Sequence, residues 1–257
     1  MQLSVIIPVY RNADTLVELH RRITQILEGL GSSYEIIFVN DACPKGSWGV
    51  LEDLCREDTH VCAIALEKNY GQNTAVLVGL TNALGERAVI MDADLQDPPE
   101  AIPRLLTEME KGFPVVFAGR RGKYEPLHRL LTSKVFKYLL HLICGLPTDA
   151  GIYVAISAEG VQRLLCLYAP KPFIVAMIGC SGLAMTSIPV VRTNRSSGES
   201  AYSSWKRLET GLLAVLWALL WKYWFNPRQV QPLKGVISIK KRLGARFQGL
   251  DIVIGET

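Results

Sequence analysis

The sequence predicts an α/β fold in which a mostly parallel sheet is flanked by helices. Short apolar runs rich in β-branched residues alternate with helical patterns through the first half of the chain. This β-α-β-α-β order gives parallel strands joined by right-handed crossovers. The chain has 257 residues, 49% of them hydrophobic and 20% charged, which is enough for a packed core and excludes global disorder.

Four predicted strands in the first half are buried on both faces: Leu3–Pro8, Glu35–Asn40, Val61–Leu66 and Ala88–Met91. Asn12 or Asp14 can cap the first helix, whose apolar residues recur at helical spacing as far as Leu30. Two more helices cover Ser47–Cys55 and Gln72–Leu84. Ligands of such sheets bind beyond the carboxyl ends of the strands. The predicted binding edge is therefore the polar segments Val9–Asn12, Asn40–Gly46, Glu67–Gln72 and Asp92–Asp97.

The second half is less regular. We expect a helix from Pro99 to about Lys111, strand Val115–Gly119 and a basic helix over about Leu127–Cys144. The predicted elements after these are extended Asp149–Ile156, a helix from Ser157 to Leu167, strand Ile188–Val191 and a Trp-rich helix over Trp205–Phe225. Val236–Ile239 and Asp251–Ile254 carry weak strand signals. The α/β domain is thus predicted over residues 1–204, and an amphipathic helix with a basic tail over 205–257. The patterns assign no role to residues 227–257.

Charge and cysteine content narrow the class of protein. A net charge of +4 is compatible with an anionic ligand or an anionic membrane surface and selects neither. The six cysteines show no metal-ligand spacing, as in a cytosolic protein with reduced thiols. No signal peptide precedes Leu3, and the apolar run Leu212–Trp221 is about half the length that spans a bilayer. We expect the chain not to cross a membrane by itself.

Asp92 and Asp94 form the sharpest motif, because a strand runs directly into two carboxylates two residues apart. In extended backbone such residues point to the same side and can converge on one cation. A Mg²⁺ or Mn²⁺ ion relieves their repulsion and also binds a diphosphate. The alternative is a solvated acidic turn before a helix that starts at Pro98-Pro99.

Four ordered segments carry a family resemblance: Ser4–Asn12, Val39–Asp41, Lys68–Gln72 and Met91–Glu100. They resemble the family-two inverting glycosyltransferases of the GT-A fold, a Rossmann-like fold. The branch most similar to them contains the dolichyl-phosphate mannose synthases and the bacterial polyprenyl-phosphate glycosyltransferases. The resemblance covers roughly residues 3–205.

The resemblance implies roles for the residues of the binding edge. Nucleotide-pocket positions fall on Pro8, Tyr10, Asn12, Asp41, Asn69 and Gly71. Asp41 would hold the base or ribose. Asp92 would face the ribose or metal side, Asp94 would be the main metal ligand, and Gln96 would complete the shell around Mg²⁺ or Mn²⁺. For Pro8 and for Asn69–Gly71, a strand end and a turn are the structural alternatives.

The chain departs from the family pattern at Asn40-Asp41-Ala42-Cys43, where the family has two acids followed by Gly-Ser. This departure affects the base contacts and the nucleotide preference that the resemblance implies for the loop. A second departure is Val154-Ala155, which stands where the family has an arginine.

The resemblance places the acceptor phosphate near Arg120 or Arg121, whose guanidinium groups suit phosphate. Asp149 aligns with a family carboxylate and is the candidate for a catalytic base or an acceptor-site residue, with a turn role as the alternative. The segment Arg192–Tyr202 resembles a loop that closes over the sugar diphosphate. In it Arg195 would act on the phosphates as a catalytic residue and Ser200 would contribute a hydroxyl, whereas a flexible linker is the alternative.

The helix Trp205–Phe225 contains tryptophans among leucines, with Lys206, Arg207 and Lys222 beside them. Such helices favour the membrane–water boundary. A core helix and a homo-oligomer interface are the alternatives. The predicted protein is therefore peripheral on the cytoplasmic face of a membrane.

These features predict an enzyme that moves a sugar from a nucleotide-sugar donor to a polyprenyl phosphate, with no nucleic-acid partner. One alternative is the same chemistry on a sugar hydroxyl of a growing glycan, which would make Asp149 more important. A second is an inactive sugar-nucleotide binding module. A nucleotidyltransferase is disfavoured, because no Gly-rich phosphate loop with a lysine follows the first strand.

Overall fold

The computed structural model describes residues 1–121, 127–167, 172–192, 204–223, 237 and 239–245, with the main chain alone at 120–121, 127–135 and 204–210. The chain divides into two compact units. The first unit comprises residues 1–95 and 233–257, and the second comprises residues 96–232.

The first unit is built on parallel strands that the sequence buries on both faces. They are β1 (Leu3–Val9), β2 (Tyr34–Asn40), β3 (Val61–Leu66) and β4 (Arg87–Ile90), and they lie side by side in the order β4-β1-β2-β3. Strand β8 (Ile239–Leu243) pairs antiparallel with the free side of β3. The crossover helices are α1 (Ala13–Gly29), α2 (Ser47–Glu57) and α3 (Gln72–Thr81).

The strand order reverses between β1 and β4. The chain moves outward from β1 to β2 to β3, and then α3 returns it to the opposite side of β1. Gly79 lets α3 lie close to the sheet, because a Cβ atom there would be 2.3 Å from Cγ2 of Ile6. A reversal of this kind opens a crevice at the carboxyl ends of the two strands, where ligands of doubly wound sheets bind.

The second unit contains three paired strands in the order β7-β5-β6. Its strands are β5 (Val115–Arg121), β6 (Val154–Ser157) and β7 (Met185–Val191), with β5 parallel to β7 and antiparallel to β6. A 3₁₀ turn at Pro99–Ala101 leads into the first of its helices, which are α4 (Ile102–Glu110), α5 (Leu127–Cys144), α6 (Ala158–Leu165), α7 (Ile174–Gly179) and α8 (Ser204–Tyr223). Helices α5, α7 and α8 pack against one another.

The predicted α/β class with a mostly parallel sheet is confirmed, and several local predictions need correction. Asn12 occupies the cap position of α1, but its side chain makes no capping hydrogen bond. In the predicted extended segment Asp149–Ile156, the strand begins only at Val154, and α7 was not predicted. β8 begins at Ile239, where the weak signal was expected to end, and Asp251–Ile254 lies outside the described residues. Within the described ranges, no helix combines the length and the apolar character needed to cross a bilayer.

Candidate active site

Three loops at the carboxyl edge of the first unit hold left-handed backbone at residues other than glycine. Arg11 follows β1, Ala42 follows β2 and Leu95 follows β4, with φ values of 61°, 49° and 60°. They are the only non-glycine residues with positive φ in the part of the chain that is described. Strained backbone of this kind persists where the surrounding structure enforces it, and it clusters at functional sites. The geometry therefore marks the same edge that the polar segments predicted.

Asp92 and Asp94 lie in the loop that follows β4. Asp94 is 8% exposed, whereas Asp92 is half-buried and accepts a hydrogen bond from Nε2 of Gln72, the first residue of α3. The hydroxyl of Thr15 donates to the carbonyl oxygen of Ala93 at 2.6 Å and so fixes the backbone between the two acids. Gln72 received no role from the sequence, although it ended one of the family segments.

The backbone at the two acids is not extended, so the reason given for their convergence does not apply. β4 ends at Ile90, and Ala93 and Asp94 form a turn. The alternation of side chains along a strand therefore does not explain how these carboxylates are placed. Turn backbone held by Thr15 places them instead.

Asp41 is 2% exposed and both of its carboxylate oxygens accept backbone hydrogen bonds. The amide of Tyr70 donates to Oδ1 at 2.7 Å, and that of Gly71 donates to Oδ2 at 2.8 Å. Burial raises the pKa of the Asp41 carboxyl, and these two bonds offset only part of that effect. The structure therefore ties Asp41 to the loop before α3, in which Gly71 has a φ of 91°.

Asn40 and Cys43 connect the loops that follow β1 and β2. The Cys43 amide donates to Oδ1 of Asn40 at 3.0 Å, and the Arg11 amide donates to Sγ of Cys43 at 3.1 Å. Burial opposes ionisation of the Cys43 thiol, but bonds from Ser47, Lys45 and Arg11 outweigh it and lower the pKa of the thiol. Of the remaining predicted pocket residues in this unit, Pro8 is buried, Tyr10 and Asn12 are half-buried, and Asn69 is exposed.

The second unit contains a buried ion pair that was not predicted. Nε and Nη2 of Arg192 donate to the two oxygens of Asp97 at 2.6 and 3.0 Å, and the side chains are 7% and 2% exposed. Tyr153, 1% exposed, donates its hydroxyl to the carbonyl oxygen of Pro98 at 2.9 Å. Together these contacts fix the segment that leads away from Gln96, which is half-buried at the start of the unit.

Asp149 lies against Gly119, near the end of β5. A Cβ atom on Gly119 would be 2.2 Å from Oδ2 of Asp149, so only glycine leaves room for this carboxylate. The main chains of Arg120 and Arg121 continue β5, but their side chains are not described. Arg195 and Ser200 lie outside the described residues. The described structure thus brings Asp149 to the predicted basic strand end, within one unit.

Hard oxygen ligands suit Mg²⁺ and Mn²⁺, and the carboxylates of Asp92 and Asp94 are of this kind. The turn at 93–94 keeps Asp94 buried, and a nearby cation stabilises a buried carboxylate. No group of three or more His, Cys, Asp or Glu side chains able to hold a metal occurs among the described residues. Two carboxylates that leave further ligand positions to a diphosphate fit an ion that is shared with substrate.

Comparison with known proteins identifies the family. The glycosyl transferase family 2 profile matches residues 4–144. Undecaprenyl-phosphate 4-deoxy-4-formamido-L-arabinose transferase from Salmonella paratyphi B is 34% identical over 205 residues, which are 79% of this chain and 63% of that protein. The chain thus spans less than two thirds of this relative's length.

Two solved structures share the fold. Glucosyl-3-phosphoglycerate synthase from Mycobacterium tuberculosis, solved with Mn²⁺, UDP and glucosyl-3-phosphoglycerate, has a TM-score of 0.60 at 18% identity and covers 86% of this chain and 80% of its own. TarS 1-349 from S. aureus with UDP-GlcNAc has a TM-score of 0.56 at 19% identity and covers 86% and 67%. The predicted GT-A fold is confirmed, and the chain belongs to glycosyl transferase family 2.

Proposed function

We propose that this chain is a metal-dependent inverting glycosyltransferase that moves a sugar from a nucleotide-sugar donor to polyprenyl phosphate. The observation that carries the proposal is the pair Asp92 and Asp94 in the turn after β4, beside the reversal of strand order. The 34% identical relative is named for transfer to undecaprenyl phosphate, which favours a lipid phosphate over a glycan hydroxyl as acceptor. A glycan acceptor is the second candidate and becomes an outcome of the test.

The proposed reaction is one displacement at the anomeric carbon. A phosphate oxygen of the acceptor attacks the carbon from the face opposite the diphosphate, the bond from that carbon to the diphosphate breaks, and the nucleoside diphosphate leaves. Asp92 and Asp94, with Gln96, are the proposed ligands of Mg²⁺ or Mn²⁺, and the ion supplies Lewis acidity at the leaving diphosphate. The structural neighbour solved with Mn²⁺ and UDP supports a divalent metal.

On the acceptor side, Asp149 beside Gly119 is the proposed carboxylate, and Arg120 or Arg121 is the proposed phosphate contact. A lipid phosphate is already anionic near neutral pH and needs little help from a base. Asp149 would then orient the acceptor. We assign Arg195 and Ser200 to the closure of their loop over the donor.

Transfer assays test the acceptor. The full chain is given UDP-, CDP-, ADP-, GDP- and TDP-sugars with Mn²⁺, and either undecaprenyl phosphate or a soluble glycan. Product on undecaprenyl phosphate alone supports the proposal. Product on the glycan alone overturns the lipid acceptor, and nucleotide binding without any product identifies an inactive binding module.

We further propose that the protein binds the cytoplasmic face of a membrane through exposed apolar side chains of α8. Leu212, Leu216, Leu219 and Tyr223 recur at helical spacing and are 65%, 51%, 38% and 71% exposed. Helix α5, which packs against α8, also exposes Tyr138, Leu139 and Leu142. An apolar surface of this extent needs a partner, and an apolar acceptor lipid lies in a bilayer.

Trp221 does not belong to this exposed surface. Trp221 is 5% exposed, and its ring lies 5.9 Å from that of Trp217, so replacing it would disturb helix packing. The side chains of Trp205 and Trp224 lie outside the described residues. The leucines are therefore the better targets for testing membrane binding.

Vesicle sedimentation at low salt tests the surface. Fully burying a leucine contributes about 1.5–3 kcal/mol, and Leu212 and Leu216 have 65% and 51% of their surface left to bury. Leu212→Ser with Leu216→Ser should therefore weaken binding to anionic vesicles by about 20- to 400-fold. Leu84→Ser is the matched control, because Leu84 is 63% exposed in the first unit. Equal vesicle binding by both variants and the wild type would count against membrane binding through α8.

A further inference from the structure

Asn40 presents a hydrogen-bond donor that the described protein does not use. It is the last residue of β2 and is 4% exposed. Its Oδ1 accepts the Cys43 amide at 3.0 Å, whereas Nδ2 has no hydrogen-bond partner among the described residues. Nδ2 is not sealed inside the core, since the only fully enclosed side-chain polar atom without a partner in the described ranges is Oη of Tyr34. This nearly buried side chain therefore keeps an N–H group that the described protein leaves unbonded and that is not fully enclosed.

The orientation of this amide is fixed. If the amide of Asn40 were flipped, its NH₂ group would face the Cys43 N–H, and two donors cannot bond to each other. Cys43 is itself held, because its sulfur accepts the Arg11 amide and contacts the Ser47 hydroxyl at 3.1 Å each. Asn40 is thus a donor toward a ligand, and it cannot accept there without losing a bond to Cys43.

The position of Asn40 along the edge indicates which part of a nucleotide it meets. The acids after β4 lie at one end of the strand series, and β2 is two strands further along in the order β4-β1-β2. At about 4.8 Å between neighbouring strands, the end of β2 lies roughly 10 Å to the side of the end of β4. A nucleoside diphosphate whose phosphates lie at Asp92 and Asp94 would extend its ribose across β1, and its base would reach β2.

We propose that Asn40 reads the nucleobase and selects a base whose pairing-edge ring nitrogen is an acceptor, as in cytosine or adenine. This inference rests on the proposed function, because it assumes a nucleotide donor. Cytosine offers N3 and O2 as acceptors, whereas uracil, thymine and guanine carry a hydrogen on the corresponding ring nitrogen. With those bases the N–H of Nδ2 would face the N–H of the ring. The base could then accept from Asn40 only through a carbonyl oxygen beside that ring nitrogen.

The binding of free nucleotides tests this selection. Titration calorimetry with Mn²⁺ measures the Kd of CDP, ADP, UDP and GDP for the full chain. CDP or ADP should bind about tenfold more tightly than UDP, because one hydrogen bond is gained and one clash of donors is avoided. UDP binding as tightly as CDP and ADP, or more tightly, would overturn the proposal. Failure of every nucleotide to bind would instead remove the proposed function.

Asn40→Asp is the matched variant, because it has the same shape and its Oδ1 can still accept from Cys43. The second oxygen is an acceptor, so the preference should move toward UDP and GDP. Asn40→Ala removes the donor, so the Kd values of CDP and UDP should become nearly equal. A CDP-to-UDP ratio unchanged in both variants would contradict a reading role for Asn40 even if the wild type prefers CDP. Thermal unfolding checks that each variant is folded. If a variant does not fold, the ratio of the CDP and UDP Kd values of the wild type decides the proposal.

Discussion

Removing one partner of the Asp97–Arg192 pair should strongly destabilise the second unit. The pair is bidentate, with N–O distances of 2.6 and 3.0 Å, and the side chains are 7% and 2% exposed. Arg192→Met removes the cation that bonds both oxygens of the buried Asp97 carboxylate, and Asp97→Asn removes the charge from the bidentate partner of the buried guanidinium. A break of this kind typically costs about 3–5 kcal/mol, because the remaining charge stays desolvated.

Differential scanning calorimetry measures the effect. At roughly 2–4 °C per kcal/mol for a protein of this size, each single variant should lower Tm by about 6–20 °C. The double variant should lose less than the sum of the singles, since it leaves no lone buried charge. Glu159→Gln breaks an exposed pair with Arg163, whose side chains are 59% and 47% exposed, and should change Tm by no more than about 2 °C. Single variants as mild as this control would refute the reasoning, as would strictly additive losses.

Three further predictions concern the site and its scaffold. Asp94→Asn should lower the Mn²⁺-dependent transfer rate by more than about 100-fold while Tm is kept, and full turnover in excess chelator would contradict a metal role. Gly119→Ala should displace the Asp149 carboxylate, which a Cβ atom would approach to 2.2 Å, so transfer should fall with little change in nucleotide Kd; an unchanged rate would show that this carboxylate is dispensable. Gly79→Ala should cost about 1–3 kcal/mol in urea unfolding, because its Cβ would lie 2.3 Å from Ile6. Gly49→Ala meets nothing within 4 Å and should be neutral or stabilising by up to about 1 kcal/mol, so equal losses would argue against steric conflict.

The first unit was predictable because its strands are decided by local sequence. Runs such as Val5–Ile7 and Ile36–Val39 are fully buried in the structure, and a continuous β-branched run permits little else. Strand β8 was less predictable, because an edge strand with two lysines and an arginine is defined by pairing with β3. The six residues of α7 are too few for a helical period to be read.

The candidate site divides in a similar way. Its position was predictable, because the polar segments follow buried strands and the topology gathers the ends of those strands at one edge. The partners of its side chains were not predictable. The backbone amides of Tyr70 and Gly71 reach Asp41 from 29 and 30 residues away, and nothing in the sequence around Asp41 encodes that approach. The same holds for Arg192 and Asp97, which are 95 residues apart.

These partners change how the polar residues of the edge should be interpreted. By residue type, Asp41 is the natural ligand contact and Asn40 is its weaker neighbour. In the structure, Asp41 is committed on both oxygens to backbone amides, so its removal would leave two donors unpaired and loosen the loop before α3. Asn40 uses only its oxygen within the described protein and leaves its Nδ2 donor unbonded. We therefore expect Asn40 to act on a ligand through Nδ2, the polar atom of its side chain that the fold leaves unbonded.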